Sequence, residues 1–296
     1  RVYGERTSAG LRTLLSDLNS DRMRLVFDWE LKADSDHHPF IERAIPTVMF
    51  HTGLHDFYHR PTDDTETLDY EGLQRVTRYI GHVLWNLADE SRVYEFRQQA
   101  WQEGEEFRKQ LEAPAPLGPT RLGLALTATD ESTEAHAEES PSPLVVSAVE
   151  PGTPAATAGI VFGMRILACD GRAIESADLF WDQVHEAADR IELMLVDPTD
   201  GTTTQRMVHL FGPASRVGIS WRMDEGTGDW ALITRVGPMT RADRAGLQAG
   251  DRIHRIDGNP SGSSEAIRER LTNGTGQIEL QVEREGILRR CRLELP

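Results

Sequence analysis

Cysteine, basic charge and long apolar runs are all scarce in this chain of 296 residues, and each scarcity excludes something. The two cysteines, Cys169 and Cys291, lie in apolar strand-like stretches far apart. Both are expected to be isolated buried thiols, so no disulfide framework holds the fold and the redox compartment stays open. No stretch of eighteen apolar residues occurs, so nothing is expected to span a bilayer as a helix. Basic residues number 32 against 48 acidic ones, a formal charge of -16. Such a chain is repelled by phosphate backbones and anionic lipid, which argues against nucleic acid as a partner. The acidity itself reads as solubility. No charged segment followed by an apolar one comes after Arg1, so no export signal is legible. The chain is expected to be processed or cut from a longer polypeptide.

What is present is enough apolar material for packed cores, 39%, in one large or two to three small domains. Over residues 1–110 helix and strand patterns alternate. Thr7 or Ser8 can cap a helix carrying Leu11, Leu14, Leu15 and Leu18 at helical spacing. Met23–Trp29 reads as a strand, His38–Arg43 as a short helix and Pro46–His51 as a buried strand. A long helix is expected from Tyr70, through Leu73, Val76, Ile80, Val83, Leu84 and Leu87, and a second helical stretch over Val93–Leu111. Strands separated by helices predict the end of a mostly parallel α/β sheet with flanking helices, a partial domain because so few strands are visible. The proline-rich stretch 111–120 is a linker.

Beyond it the chain repeats. The segment from Val149 to Gly171 aligns without a gap on that from Val236 to Gly258, at a constant offset of 87. Ile191-Glu-Leu193 keeps the same offset to Ile278-Glu-Leu280. Leu122-Gly123-Leu124 matches Val217-Gly218-Ile219 at an offset of 95, so the first copy carries eight extra residues. They fall in Thr127–Pro143, an acidic stretch expected to be a solvated loop. Asp170-Gly171 and Asp257-Gly258 supply the positive φ angles of tight hairpins. Helices are expected near Ala177–Ala187 and Ser264–Leu271.

On these residues both copies resemble PDZ domains, particularly those attached to bacterial proteases: small, mainly-β domains, expected over 121–213 and 214–296. The resemblance implies that the turns Leu122-Gly123-Leu124 and Val217-Gly218-Ile219 offer backbone N–H groups to a peptide carboxylate, and that an extended peptide adds to the neighbouring edge strand. The first copy departs from the pattern at Met164, where the second has Asp251.

The remaining feature is a cluster of histidines. Five of the ten fall within residues 37–59, among aspartates and a tyrosine. Imidazole, carboxylate and phenol together are the materials of a hydrolytic metal site. His51, His55 and His59 are spaced by four, but Gly53 and Pro61 argue against a helix, so His51 and His55 read as loop-packing residues and His38 as flanking the short helix. His82, His136, His185, His209 and His254 stand alone.

Ser35-Asp36-His37-His38-Pro39-Phe40, then Ala44-Ile45-Pro46, then Tyr58-His59-Arg60-Pro61-Thr62-Asp63-Asp64 and a long helix resemble, in wording and order, the closing segment of the two-zinc aminopeptidase family, which includes glutamate carboxypeptidases. Ala44 for Gly and Asp64 for Thr are the departures. The resemblance implies that His59 is a zinc ligand, that Tyr58 steadies the oxyanion of the tetrahedral intermediate, that Asp63 orients the ligand imidazole, and that Asp36 and His37 line the substrate pocket. In that family two bridged zinc ions activate a water while a glutamate takes its proton. The other ligands precede this segment in family order, and residues 1–34 contain no histidine. The expectation is therefore a zinc-dependent aminopeptidase represented by its C-terminal part, inactive alone, acting on peptide or protein substrates, with tandem PDZ domains that bind peptide C-termini or regulate access. The resemblance also implies a periplasmic or extracytoplasmic address. The alternative is a non-catalytic adaptor built on two peptide grooves, and a weaker one is a pair of docking or oligomerisation modules.

Overall fold

The structure is a computed structural model that describes residues 1–115, 120–128, 144–228 and 230–295. Buried apolar side chains gather in three separate clusters, one per structural unit. The first unit begins with β1 (Val2–Tyr3), α1 (Leu11–Asp17) and β2 (Phe27–Asp28), continues through α2 (His38–Glu42) and β3 (Met49–Phe50), and ends with α3 (Tyr70–Asp89) and α4 (Glu105–Glu112). Leu15 of α1 is fully buried, as its spacing requires, against Val2, Phe27, Tyr79 and Val83. The cap differs from expectation. Gly10, in the left-handed region, precedes α1, while the Thr7 hydroxyl donates to Gly4 O (2.6 Å) and accepts from Thr47 N–H (3.0 Å).

The sheet of this unit has the order β2-β1-β3, with β1 parallel to β2 and antiparallel to β3. The expected mostly parallel sheet is thus realised in one pairing of two. A backbone reversal after α2 sends β3 back against β1. The strand expected over Met23–Trp29 contracts to two residues because Leu25 N–H donates elsewhere, to Glu285 O in the third unit (2.8 Å). β3 is half-buried rather than buried. In α3, capped by the Asp69 carboxylate on Gly72 N–H (2.9 Å), Tyr79 and Val83 are buried, but Leu84 and Trp85 are 62% and 73% exposed, so part of the apolar stripe faces solvent. The expected helix over Val93–Leu111 is broken into a 3-10 turn, Gln98–Trp101, and α4. Between them Glu103 turns inward to accept from Arg6 Nε (2.8 Å) and from Arg97 Nη2 (2.8 Å).

The second and third units repeat one topology. The second comprises β4 (Leu124–Ala128), β5 (Leu144–Val149), α5 (Pro154–Thr157), β6 (Arg165–Cys169), β7 (Arg172–Ala173), α6 (Ala177–Glu186), β8 (Arg190–Val196) and β9 (Thr203–His209). The third comprises β10 (Ile219–Asp224), β11 (Trp230–Val236), α7 (Arg241–Arg244), β12 (Arg252–Ile256), β13 (Asn259–Pro260), α8 (Ser264–Asn273), β14 (Gly276–Arg284) and β15 (Ile287–Leu295). Strand orders are β4-β5-β6-β8-β9 and β10-β11-β12-β14-β15, with β7 on β6 and β13 on β12. Register agrees pair for pair. Leu124 faces Val149 as Ile219 faces Val236, and the bulge at Ala125/Leu126 recurs at Ser220/Trp221. The hairpin residues Asp170 and Asp257 have φ of 48° and 50°, followed by Gly171 and Gly258 at 75° and 80°, as a two-residue turn demands. Cys169 and Cys291 are buried free thiols, and burial pushes the Cys169 thiol up to about 12. The acidic stretch 129–143 and most of the linker, 116–119, lie outside the described residues.

A buried ionic layer seats the first unit on the third. Arg6 Nη1 donates to Asp224 Oδ1 (2.8 Å) while its guanidinium stacks on Trp29 at 3.8 Å. Arg12 donates to Glu283 (3.1 Å) and lies 4.0 Å over Phe27. Arg252 reaches Glu112 Oε1 (2.7 Å) and Asp224 Oδ2 (3.3 Å). Burial works against the Asp224 charge, yet Arg6 and Arg252 hold that carboxyl below its usual value. The second unit meets the third through ion pairs of Arg241 and Arg244 on α7 with Asp182 on α6, at 3.0 and 2.7 Å.

Candidate functional sites

The aspartate-histidine segment reaches its place through the end of α2. Ile45 N–H donates to Phe40 O (3.0 Å) and Ala44 N–H to Ile41 O (2.8 Å), the paired bonds of a Schellman reversal. That geometry places Ala44 at φ 54°, in the left-handed region, where the resembling family has glycine. The reversal leads into β3 and then into the loop of residues 51–64. There the Arg1 amino group donates to His51 O (2.7 Å), and His51 Nδ1 accepts from Gly53 N–H (2.8 Å), in keeping with a packing role. Successive turns follow: Tyr58 N–H to His55 O, Arg60 N–H to Phe57 O and Asp63 N–H to Arg60 O.

Tyr58 and His59 stand side by side on the surface, their rings perpendicular with centroids 4.1 Å apart. Tyr58 is 46% exposed, and His59 is exposed with φ 57°, a conformation uncommon outside glycine. Asp63 lies 3.9 Å from His55 Nε2. Asp36 is exposed at the turn before α2. His37 is buried, and neither ring nitrogen has a hydrogen-bond partner. His38 is the first residue of α2 rather than flanking it, 3.4 Å from Glu42. Among the described residues no group of three or more His, Cys, Asp or Glu side chains is arranged to hold a metal ion. These residues alone do not fit a zinc centre, whose ligand set takes at least three protein donors.

The two glycine turns are built alike. Ala155 N–H donates to Leu122 O (2.9 Å) and Ala242 N–H to Val217 O (3.0 Å). Gly123 and Gly218 have φ of 80° and 88°, and a Cβ at either would overlap the side chain of Thr153 or Thr240. Glycine is therefore required at both, for conformation and for space. The residue before each turn is an arginine that ties it to the end of a helix. Arg121 donates to the carbonyls of Val184 (2.8 Å), Ala187 and Gly212 (2.5 Å), and Arg216 to those of Thr272 and Gly274 (3.1 Å). Each guanidinium so fixes the spacing between the turn and the helix at the C-terminal carbonyls, where a cation is favoured. The sequence reading passed over Arg121 and Arg216, although they share the offset of 95. His185, which stands alone in the sequence, lies at the junction of the units: burial and Arg121 disfavour its charge, and its carbonyl accepts from Ser215 N–H (2.8 Å).

Two family models match the chain: Peptidase family M28 over residues 3–84 and the PDZ domain over residues 232–284. The chain thus joins a segment similar to that peptidase family to a segment similar to the PDZ domain. Among solved structures, a PDZ domain protein from Parabacteroides distasonis ATCC 8503 aligns at 16% identity and a TM-score of 0.27, over 38% of this chain and 23% of that one. A photosystem II D1 C-terminal processing protease aligns at 18% identity and a TM-score of 0.26, over 52% and 45%. An S41-type protease from Bacteroides fragilis NCTC 9343 aligns at 16% and 0.24, over 51% and 41%. The chain therefore spans less than half the length of each of these three. No curated protein sequence matches it.

Proposed function

We propose that residues 1–110 are the closing segment of a zinc-dependent aminopeptidase and that the second and third units are tandem PDZ-type modules serving it by holding peptide C-termini or controlling access. The observation that carries this reading is the Tyr58–His59 pair, presented on the surface within the stretch that matches Peptidase family M28. In this reading His59 donates one imidazole nitrogen to a zinc centre whose other ligands lie outside these 296 residues. Tyr58 supplies an oxyanion donor, and Asp36 and His37 border the substrate. Asp63, which stands by His55, acts on the loop as a whole.

The test uses the natural polypeptide that includes this segment, assayed on aminoacyl p-nitroanilides with and without chelator. Hydrolysis is expected to be chelator-sensitive, to vanish in His59→Ala, and to fall about a hundredfold or more in kcat in Tyr58→Phe. Wild-type rates in His59→Ala would end the assignment. A second reading, for the chain by itself, is a peptide-binding adaptor, supported by the PDZ domain match over residues 232–284. Fewer than one zinc per chain is expected on metal analysis, and two equivalents would contradict the ligand assignment.

A further inference from the structure

The two glycine turns share a backbone, yet their surroundings differ at equivalent positions. In the third unit Gly218 N–H donates to Ser215 Oγ (2.9 Å), so a donor that a peptide carboxylate would use is already satisfied. Across the same mouth Trp221 Nε1 on β10 donates to Ser264 Oγ at the start of α8 (3.2 Å), bridging the strand and helix between which a peptide would lie. In the second unit the residue equivalent to Ser215 is Thr120, and its hydroxyl turns away to Glu150 Oε2 (3.1 Å). Gly123 N–H has no acceptor among the described residues. Leu126 and Ala177 occupy the positions of Trp221 and Ser264, and neither can form a polar bridge. Beside this turn every acceptor of the Arg121 guanidinium is a backbone carbonyl, so among the described residues its charge meets no carboxylate. β4 is an edge strand, paired only to β5 among the described residues.

We infer that the second unit, not the third, is the peptide-binding module, and that its ligand is an extended peptide with a free C-terminal carboxylate and an apolar last side chain. An unsatisfied N–H beside an uncompensated cation suits a carboxylate, and charge-assisted hydrogen bonds of this kind are the strong ones. The edge of β4, unpaired on that side among the described residues, supplies main-chain partners for the residues before it, as in strand addition. Leu126 on the strand and Ala177 on the helix, at the positions of Trp221 and Ser264, carry no charge, which suits an apolar terminus. The third unit keeps the fold and spends its outer sheet face on the first unit. This inference rests on the reading of the repeated units as peptide-binding modules and says which of them binds.

The test uses the whole chain and a fluorescein-labelled dodecapeptide ending in Leu with a free carboxylate, beside its C-terminal amide. Fluorescence anisotropy is expected to give saturable binding of the acid, weakened about tenfold or more in the amide. The double variant Leu126→Trp/Ala177→Ser copies the third unit's bridge and is expected to weaken binding by a similar factor. Ser215→Ala/Trp221→Leu is expected to leave it unchanged. Since the first variant can perturb packing, the wild-type chain is also titrated by NMR, where the Gly123 amide resonance is expected to move and that of Gly218 to stay. A shift at Gly218 with Gly123 still would overturn the inference while leaving the peptide-binding reading intact. If neither unit binds the acid, both the inference and the peptide-binding reading fall.

Discussion

Glu5 carries the most quantitative prediction. It lies in a 3-10 turn after Gly4 and is fully buried, with neither carboxylate oxygen accepting a hydrogen bond and Arg12 Nη1 4.0 Å away. Burial pushes its carboxyl from 4.5 up to about 7, against the opposing pull of Arg12 and Arg6. In the window between those values the folded chain keeps a proton that the unfolded chain has released. Stability contributed by this group is therefore full below the unfolded value and falls as pH rises through about 7. At about 1.4 kcal/mol per pH unit, the window corresponds to a loss on the order of 3 kcal/mol. Glu5→Gln retains the shape and removes the ionisable proton. Its urea-unfolding stability is expected to vary less between pH 4.5 and 8 and to exceed the wild type at pH 8 by up to about 3 kcal/mol. Amide exchange at Leu14 and Leu18 ties the effect to the α1 region. Other groups titrate alike in both chains, so the difference between the curves isolates Glu5. Parallel curves, or a variant less stable at pH 8, would refute the argument.

Asp224→Asn leaves Arg6 and Arg252 buried without their shared carboxylate, and removing one partner of a buried pair costs about 3–5 kcal/mol. Because the Asp224 carboxyl is held low, this contribution is present above its ordinary value of 3.8 and is lost as pH falls through the folded value. Small-angle scattering should report separation of the first and third units in the variant, and an unchanged profile with unchanged unfolding would count against the ionic layer as the seat. Ala44→Gly relieves a left-handed alanine, worth about 1–2 kcal/mol, less about 0.4–1 kcal/mol for the freer unfolded chain. The Ile45 amide, bonded to Phe40 O, should exchange about twofold to fivefold more slowly, and faster exchange would reject the Schellman assignment.

Much of the repeat was legible because its signals are local. Glycine turns, Asp-Gly hairpins and alternating apolar strands recur at fixed offsets, and each needs only its neighbours to act. The departure at Met164 against Asp251 has a physical reason that one alignment column hides. Asp251 is fully buried because Arg284 Nη2 donates to it (2.7 Å) and it accepts from Gln248 N–H (2.9 Å). The residue equivalent to Arg284 in the other copy is Asp197, so an aspartate at 164 would face a carboxylate instead, and an apolar side chain stands there. The ionic layer was not legible. Arg6 meets Asp224 across 218 positions, and nothing in the local pattern of either residue announces the other. At the histidine loop the order of residues was visible, but the pairing of Asp63 with His55 depends on three successive turns that spacing alone does not specify.

The repeated ladders also explain how one topology takes two positions in the molecule. Arg165 pairs in register with Val196, and Arg252 with Glu283, at the same point of the same bulged ladder. Arg165 stays exposed, whereas Arg252 is buried beneath the first unit. The difference lies in the acids around it: Glu283 across the ladder, Asp224 on β10 and Glu112 from α4 compensate a guanidinium that could not otherwise be desolvated. Val196 gives Arg165 no such partner. A single exchange of valine for glutamate at this rung would therefore not make the second unit a seat for the first, because the arginine would still lack the carboxylates that Asp224 and Glu112 provide from two other elements. Docking specificity here belongs to a set of charges gathered from α4, β10 and β14, elements of the first and third units, none of which the second unit supplies.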